Sequence, residues 1–412
     1  MVTEHAFSGA RRRLLGSALG GLLLPWGAGA SAAVPARHWV TAWNEDGSHR
    51  VGLLQRATAG WRVASLIEVP TRAHGLQVLA DGSVIAVARR PGDWLLRWWP
   101  SPDGRPGRAP QWCWAPAGRQ FNGHAVLHPD GRHLLLTATD TEADDGLGRG
   151  LLMQLRLDRL EPVQEVPTLG RDPHQLRIDA GGPGLWVANG GIASRPETGR
   201  ARLAQAPMDA SVALIVPEPG TGHLSAEGPR QRWTLADPWL SLRHLAWHAP
   251  SQTLGVAMQA EHPRPADRRD APVLALLRLS DAAQADPAVL RSVAAGADFG
   301  GYGGDIVATA DGFSVSSPRT GRIGHWSPEG HWRGSETLAQ GCALEVDSDG
   351  QRLQAAGDHL SLASETSTRP QASTPTPDPL PVQPDNHWQR WTPSGRAPVV
   401  WPDTPRTFPP LP

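Results

Sequence analysis

A strand–turn–strand unit headed by a histidine recurs along this chain. It reads Ala73-His74-Gly75-Leu76-Gln77-Val78 at its first appearance. It returns as Gly123-His124-Ala125-Val126-Leu127, Pro173-His174-Gln175-Leu176-Arg177-Ile178 and Arg243-His244-Leu245-Ala246-Trp247. After each comes a turn and a second apolar run that closes on small residues, at 84–88, 134–138, 185–188 and 254–257. The first three histidines stand about 50 residues apart and the fourth about 70 further on, a period that with this strand content denotes a β-propeller. In such an all-β ring, equivalent positions of successive blades surround one axis. The sequence therefore predicts several imidazoles facing one another.

Two further units lack the histidine: Gly304-Asp305-Ile306-Val307 with Asp311-Gly312-Phe313, and Cys342-Ala343-Leu344-Glu345-Val346 with Asp349-Gly350. With a strand at 38–43 that can close the ring or belong to another unit, the count favours a single seven-bladed propeller over a six-bladed one, spanning 36–362. Pairing between the chain ends would remove exposed sheet edges. The longer interval before His244 is expected to hold an insertion over 192–239, with strand-like 212–216, of the kind that shapes a site on one face. Residues 363–386 read as a Ser/Thr/Pro-rich low-complexity linker. Within 387–412, His387-Trp388-Gln389-Arg390-Trp391 can return as an edge strand before a Pro-rich tail.

Near the start, Arg11-Arg12-Arg13-Leu14-Leu15 precedes a short apolar, glycine-containing stretch and small-residue cleavage positions around Ala30-Ser31-Ala32. This is the layout of a signal peptide over 1–33. The consecutive arginines and weakly apolar core predict the twin-arginine route, with an ordinary Sec signal as the alternative. The stretch is too short to span a bilayer comfortably, so no transmembrane segment is expected in the mature protein. A periplasmic protein is the expectation.

Composition narrows the function classes. The 412 residues carry a net charge of −1, so there is no basic surplus to neutralise nucleic-acid phosphates. The basic side chains other than histidine are all arginine. Cys113 and Cys342 fall in different units, and two buried reduced thiols are expected rather than a disulfide.

The histidines carry the strongest chemical lead. Neutral imidazole favours copper, iron or zinc, and His74, His124, His174 and His244 in one ring would make a metal shell. The competing reading is that each imidazole only bonds a neighbouring blade's backbone. Arg89, Arg90, Arg195, Arg243 and Arg319 sit beside these histidines or in Gly/Pro-rich turns, where guanidinium groups suit carboxylate or phosphate. Asn189, in Asn189-Gly190-Gly191, heads a loop that can present it to a ligand or form only a hairpin turn. The acidic run 140–146 resembles half of a calcium loop but lacks the bidentate glutamate. No nucleophile elbow, zinc-protease, haem-attachment or Walker sequence occurs.

Several of these segments together resemble a bacterial family, domain of unknown function 1513. They are Ala88-Arg89-Arg90-Pro91-Gly92-Asp93-Trp94, Phe121-Asn122-Gly123-His124, Asp172-Pro173-His174, Ala188-Asn189-Gly190-Gly191-Ile192, Leu240-Ser241-Leu242-Arg243-His244-Leu245 and Ser317-Pro318-Arg319. The resemblance covers residues 36–345. It implies an exported periplasmic propeller encoded beside imelysin-type iron-uptake proteins and a di-haem thiol oxidoreductase. It also implies an acidic residue after the third histidine, where Gln175 stands, which puts a carboxylate partner for that imidazole in question. A weaker similarity to lactonase-type propellers, through Pro129-Asp130-Gly131, supports the fold more than an activity. The combined expectation is a metal- or ligand-binding accessory protein in iron or copper handling, more a binder than an enzyme. A lactonase-like or metal-dependent redox enzyme and a non-catalytic interaction scaffold are the alternatives.

Overall fold

The computed structural model describes residues 37–394, apart from 58–59, 104–106, 179–183, 195–201, 204–207, 217–223, 230, 280–288, 347–351, 357–359, 365–379, 383 and 385–386. The expected signal peptide, the Pro-rich tail and Arg195 lie outside the described residues, as does most of the low-complexity linker.

Among the described residues, antiparallel sheets follow one another along the chain. The first comprises Arg37–Glu45, Ser48–Ala57 and Gly60–Val69, with Trp388–Trp391 at its inner edge. The second runs outward from Ala73–Val78 through Val84–Ala88 and Trp94–Trp98 to Gln111–Trp114. The third contains Arg119–Leu127, His133–Asp140, Arg149–Arg156 and Pro162–Pro167, and the fourth Pro173–Ile178, Leu185–Asn189, Ser211–Ile215 and Gln231–Trp233. The fifth is Leu240–His248, Thr253–Ala260, Leu274–Arg278 and Leu290–Val293, and the sixth Ile306–Thr309, Gly312–Ser317, Arg322–Trp326 and Trp332–Thr337. Ala343–Val346, Arg352–Ala356 and Leu360–Ser364 make the seventh. The favoured count of seven blades is therefore corrected to six complete four-stranded blades among the described residues, with a three-stranded sheet closing the order. Each inner strand contacts the next, and that of the seventh sheet contacts Trp388–Trp391, which in turn meets Ala73–Val78. The ring is closed.

One further expectation needs correction. The 192–239 interval is not a free insertion, because Ser211–Ile215 and Gln231–Trp233 are the two outer strands of the fourth sheet. The His387 segment does return as an edge strand, and the edge it takes is the inner one of the first sheet. Trp388–Trp391 pairs with the first strand in the register His38↔Trp391 to Thr41↔Trp388. Both neighbouring sheets hold it. Gln389 Oε1 accepts the Val78 N–H at 2.6 Å, Trp391 Nε1 donates to the Gly82 carbonyl at 2.8 Å, and Glu345 Oε2 accepts the Arg390 N–H at 2.9 Å.

The core lies between sheets. Strands covered on both faces read as unbroken apolar runs, as Val84–Ala88 does, with every residue buried. Trp186, Val212, Leu214, Leu242, Leu245, Leu254 and Val256 fill the space between the fourth and fifth sheets. Val51, Leu53, Val84, Trp94 and Trp391 do the same between the first and second. Truncating a buried tryptophan such as Trp186 to alanine costs about 3–5 kcal/mol by transfer and cavity terms. Among the described residues no helix is long and apolar enough to cross a membrane.

Candidate metal centre

Each of the four repeat histidines sits where its inner strand slips register against the second strand. The irregularity falls between Ala73 and Leu76, Phe121 and Ala125, Pro173 and Leu176, and Leu242 and His244. A bulge bends the strand and re-aims one side chain. Here it interrupts the alternation next to the imidazole in four successive blades. Glycine lets those strands come together. Gly123 has φ +101°, and a Cβ there would lie 2.7 Å from His74 Cδ2. A Cβ on Gly75 would lie 2.3 Å from the Gly123 carbonyl oxygen.

The result is a cluster of imidazoles and not an open ring. His74, His124, His174 and His244 are all buried, and their ring centroids lie 4.7–6.0 Å from one another. A fifth ring, His387, joins them on the return strand, 4.8 Å from His74 and 4.9 Å from His244 by centroid. The sequence signal for it was the alternating run His387-Trp388-Gln389-Arg390-Trp391. The separation from the other repeats and the intervening low-complexity segment concealed its register. His74, His124, His244 and His387 each offer a ligand atom, all within 4.8 Å of one another. His174 Nε2 lies 3.3 Å from His74 Nε2 and 3.2 Å from His244 Nε2. A tetrahedral ion bound at about 2.0–2.1 Å sets its nitrogen donors about 3.3–3.4 Å apart. The spacing fits.

The electrostatics keep these rings neutral. Burial pushes the pKa values of His74, His124 and His174 well below the ordinary imidazole value, and neighbouring histidines push the same way, as do Arg89 on His74 and Arg243 on His174. That of His244 falls to about 3, again mainly by burial. Neutral imidazoles are ligands without a proton to displace. They satisfy one another only in part: His124 Nε2, His174 Nδ1 and His387 Nε2 are buried without a hydrogen-bond partner. Orphaned nitrogens of this kind cost stability unless something takes their lone pairs.

The last two sheets put other residues at the head of the inner strand, Asp305 before Ile306–Thr309 and Cys342 before Ala343–Val346. Burial opposes ionisation of Asp305, but His387 and backbone N–H groups outweigh it and hold its carboxyl below the usual range. Cys113 and Cys342 are both buried and are not joined in a disulfide, as the sequence suggested.

The expected anion-binding rim takes a different form. Arg90 and Arg243 converge on one carboxylate, with Arg90 Nη1 2.7 Å from Asp172 Oδ1 and Arg243 Nη1 2.9 Å from Asp172 Oδ2. Asp172 lies two residues before His174, so this clamp ties the second, fourth and fifth sheets beside the cluster. Its guanidinium groups are engaged within the protein. Asn189 is fully buried, and its amide donates to the Thr168 carbonyl and Ser211 Oγ, so it faces the blade interior and not a ligand. Arg319 lies over the Tyr302 ring, 4.1 Å from its centroid. The Arg89 backbone N–H donates to Arg72 O at the turn after Val84–Ala88. Gln175 Oε1 accepts the Leu245 N–H at 2.6 Å, so the residue in the acidic position ties two blades together. In the acidic run, Asp144 pairs with Arg149 and Arg171, which leaves it poorly suited to calcium.

A closed propeller whose axis is filled by imidazoles is thus the class to which this chain belongs. More narrowly, it is a member of the family described as "Protein of unknown function (DUF1513)", whose model matches residues 67–391. Among solved structures it is similar to a protein from Lactobacillus plantarum, with 13% identity, a TM-score of 0.56, and 86% of this chain and 99% of that one covered. A functionally unknown protein from Desulfotomaculum acetoxidans aligns at 10% identity and a TM-score of 0.51, covering 86% of this chain and 98% of that one. At such identities the likeness concerns the fold. No curated protein matches the sequence.

Proposed function

We propose that this protein binds a transition-metal ion at its axial imidazole cluster and serves in metal handling without chemistry of its own. One observation carries the reading: imidazoles from five successive sheets converge while several of their buried nitrogens remain without partners. A purely structural set of histidines would be expected to spend those nitrogens on neighbouring backbone. Nitrogen donors of this type suit copper, zinc and iron(II). Within that set, iron or copper in the periplasm is the favoured cargo, on the strength of the family resemblance and the arginine-rich leader. Imelysin-type iron-uptake proteins and a di-haem oxidoreductase are the partners that resemblance suggests.

Metal analysis tests the reading directly. Chelator-treated protein titrated with Cu²⁺, Fe²⁺ and Zn²⁺ under anaerobic conditions should take up a stoichiometric ion, and His124→Ala and His174→Ala should lose it. Equal uptake by wild type and both variants would assign the metal to adventitious surface sites and remove the proposal. For export, replacing Arg11, Arg12 and Arg13 by lysine should trap the protein in the cytoplasm, since the twin-arginine receptor reads guanidinium groups. Undiminished secretion of that variant would point to the Sec route.

A further inference from the structure

We propose that Asp305 is the positioning carboxylate of the cluster. It holds His387 with its Nδ1 proton turned outward, so that Nε2 presents a lone pair to the metal. This rests on the metal-binding reading above and adds to it a defined tautomer and a residue that sets it.

The carboxylate is fixed in place. Asp305 Oδ1 accepts the Ile306 N–H at 2.9 Å and Oδ2 accepts the Leu344 N–H at 3.0 Å. Its own N–H donates to Ser316 Oγ at 3.0 Å, and that hydroxyl donates to the Cys342 carbonyl at 2.6 Å. Asp305 is thereby tied to the seventh sheet while its Oδ2 reaches past that sheet to lie 3.6 Å from His387 Nδ1. On the opposite side of the same imidazole, Nε2 is buried and has no partner. A neutral imidazole carries one proton, and the nitrogen that faces a carboxylate keeps it. The other nitrogen is then left as a donor toward the cluster. Metal-ligating histidines commonly have such an outer carboxylate, which fixes ring orientation and raises ligand basicity.

The backbone of His387 is also held, since Thr41 Oγ1 donates to its carbonyl at 2.9 Å. The backbone is held and Nδ1 faces the carboxylate within ion-pair range, which biases the ring toward keeping Nε2 on the cluster side. Asp305 touches the ligand and not the metal. Its place at the head of the sixth inner strand, where four other sheets supply an imidazole, explains why the family of positions switches chemistry there.

The test has two arms. Long-range ¹H–¹⁵N correlation spectra of the metal-free wild type should show His387 as the Nδ1–H tautomer. Asp305→Asn should blur that preference and weaken Zn²⁺ binding, read by chelator competition, about 10–100-fold. In a His387→Ala background the same substitution should cost no further affinity. A wild type that binds Zn²⁺ with His387 as the Nε2–H tautomer refutes the role of Asp305 alone, as does an Asp305→Asn variant of undiminished affinity. Should that variant fail to fold, the wild-type tautomer still decides. A wild type that holds no Zn²⁺ overturns the metal reading, and the role given to Asp305 falls with it.

Discussion

Replacing His124 by leucine separates a ligand from a structural residue. His124 is 6% exposed, and its Nε2 has no partner within the protein. Removing a buried, unsatisfied nitrogen relieves about 1–3 kcal/mol. Leucine is close enough in volume that repacking should cost less than about 1.5 kcal/mol. The metal-free variant is therefore expected to lie between about 0.5 kcal/mol below and about 3 kcal/mol above wild type in stability. Unfolding entropy of about 2.1 cal/mol/K per residue over a domain of roughly 350 residues makes each kcal/mol about 1.4 °C in Tm. Wild type with free metal at 100 times Kd gains about 2.7 kcal/mol, or about 4 °C, and the variant should lose most of that gain. Calorimetry of chelator-treated protein with and without Zn²⁺ or Cu²⁺ reads both quantities. A metal-free His124→Leu protein that melts many degrees lower, beside a wild type indifferent to metal, would show that the imidazoles are structural and the reasoning wrong.

Acid should destabilise the metal-free protein early. His74, His124, His174 and His244 stay neutral in the fold, with His244 near 3, while unfolded histidines titrate near 6.5. Below about pH 6.5 the unfolded chain gains protons the fold refuses, and each such histidine removes about 1.4 kcal/mol per pH unit. Urea midpoints should fall steeply from pH 7 to pH 5, and a flat profile would contradict neutral burial. Asp172→Ala should cost about 3–5 kcal/mol by stranding Arg243, which is 2% exposed, whereas Arg90→Ala should cost less because that pair survives; equal denaturation midpoints for the two variants would dissolve the clamp. Gly123→Ala combines a strained φ with a Cβ 2.7 Å from the His74 ring, so metal affinity should drop along with stability. Unchanged Zn²⁺ binding there would mean His74 has room to move.

The propeller was legible because period and polarity repeat with little distortion through four units. The histidines announced themselves for the same reason: each precedes the regularly alternating part of its inner strand, beside a bulge. His387 escaped because its strand returns alone, without the hairpin partner that made the others recognisable. Asp305 and Cys342 escaped because their units were scored for a missing histidine and not for what replaces it. Arg90 and Arg243 lie on the expected segments, but both meet Asp172. Nothing in the local pattern near Arg90 or Arg243 reveals that Asp172 will accept both, since the three belong to different sheets. Asn189 was misjudged for a related reason. Its Asn-Gly-Gly run does turn the chain, with Gly191 at φ +77°, but the amide folds back onto Thr168 and Ser211.

The return strand has a consequence for how the molecule comes into being. Four imidazoles are delivered in order as the chain lengthens, yet the fifth rides on Trp388–Trp391, which must travel back to Arg37–Glu45 before it can dock. Until then the first strand keeps a bare hydrogen-bonding edge and the cluster lacks His387. Any ion that needs all five nitrogens would thus be gripped only by a molecule whose two ends have met. A chain stopped short of residue 387 would have neither the fifth imidazole nor a sealed edge to protect it from its neighbours.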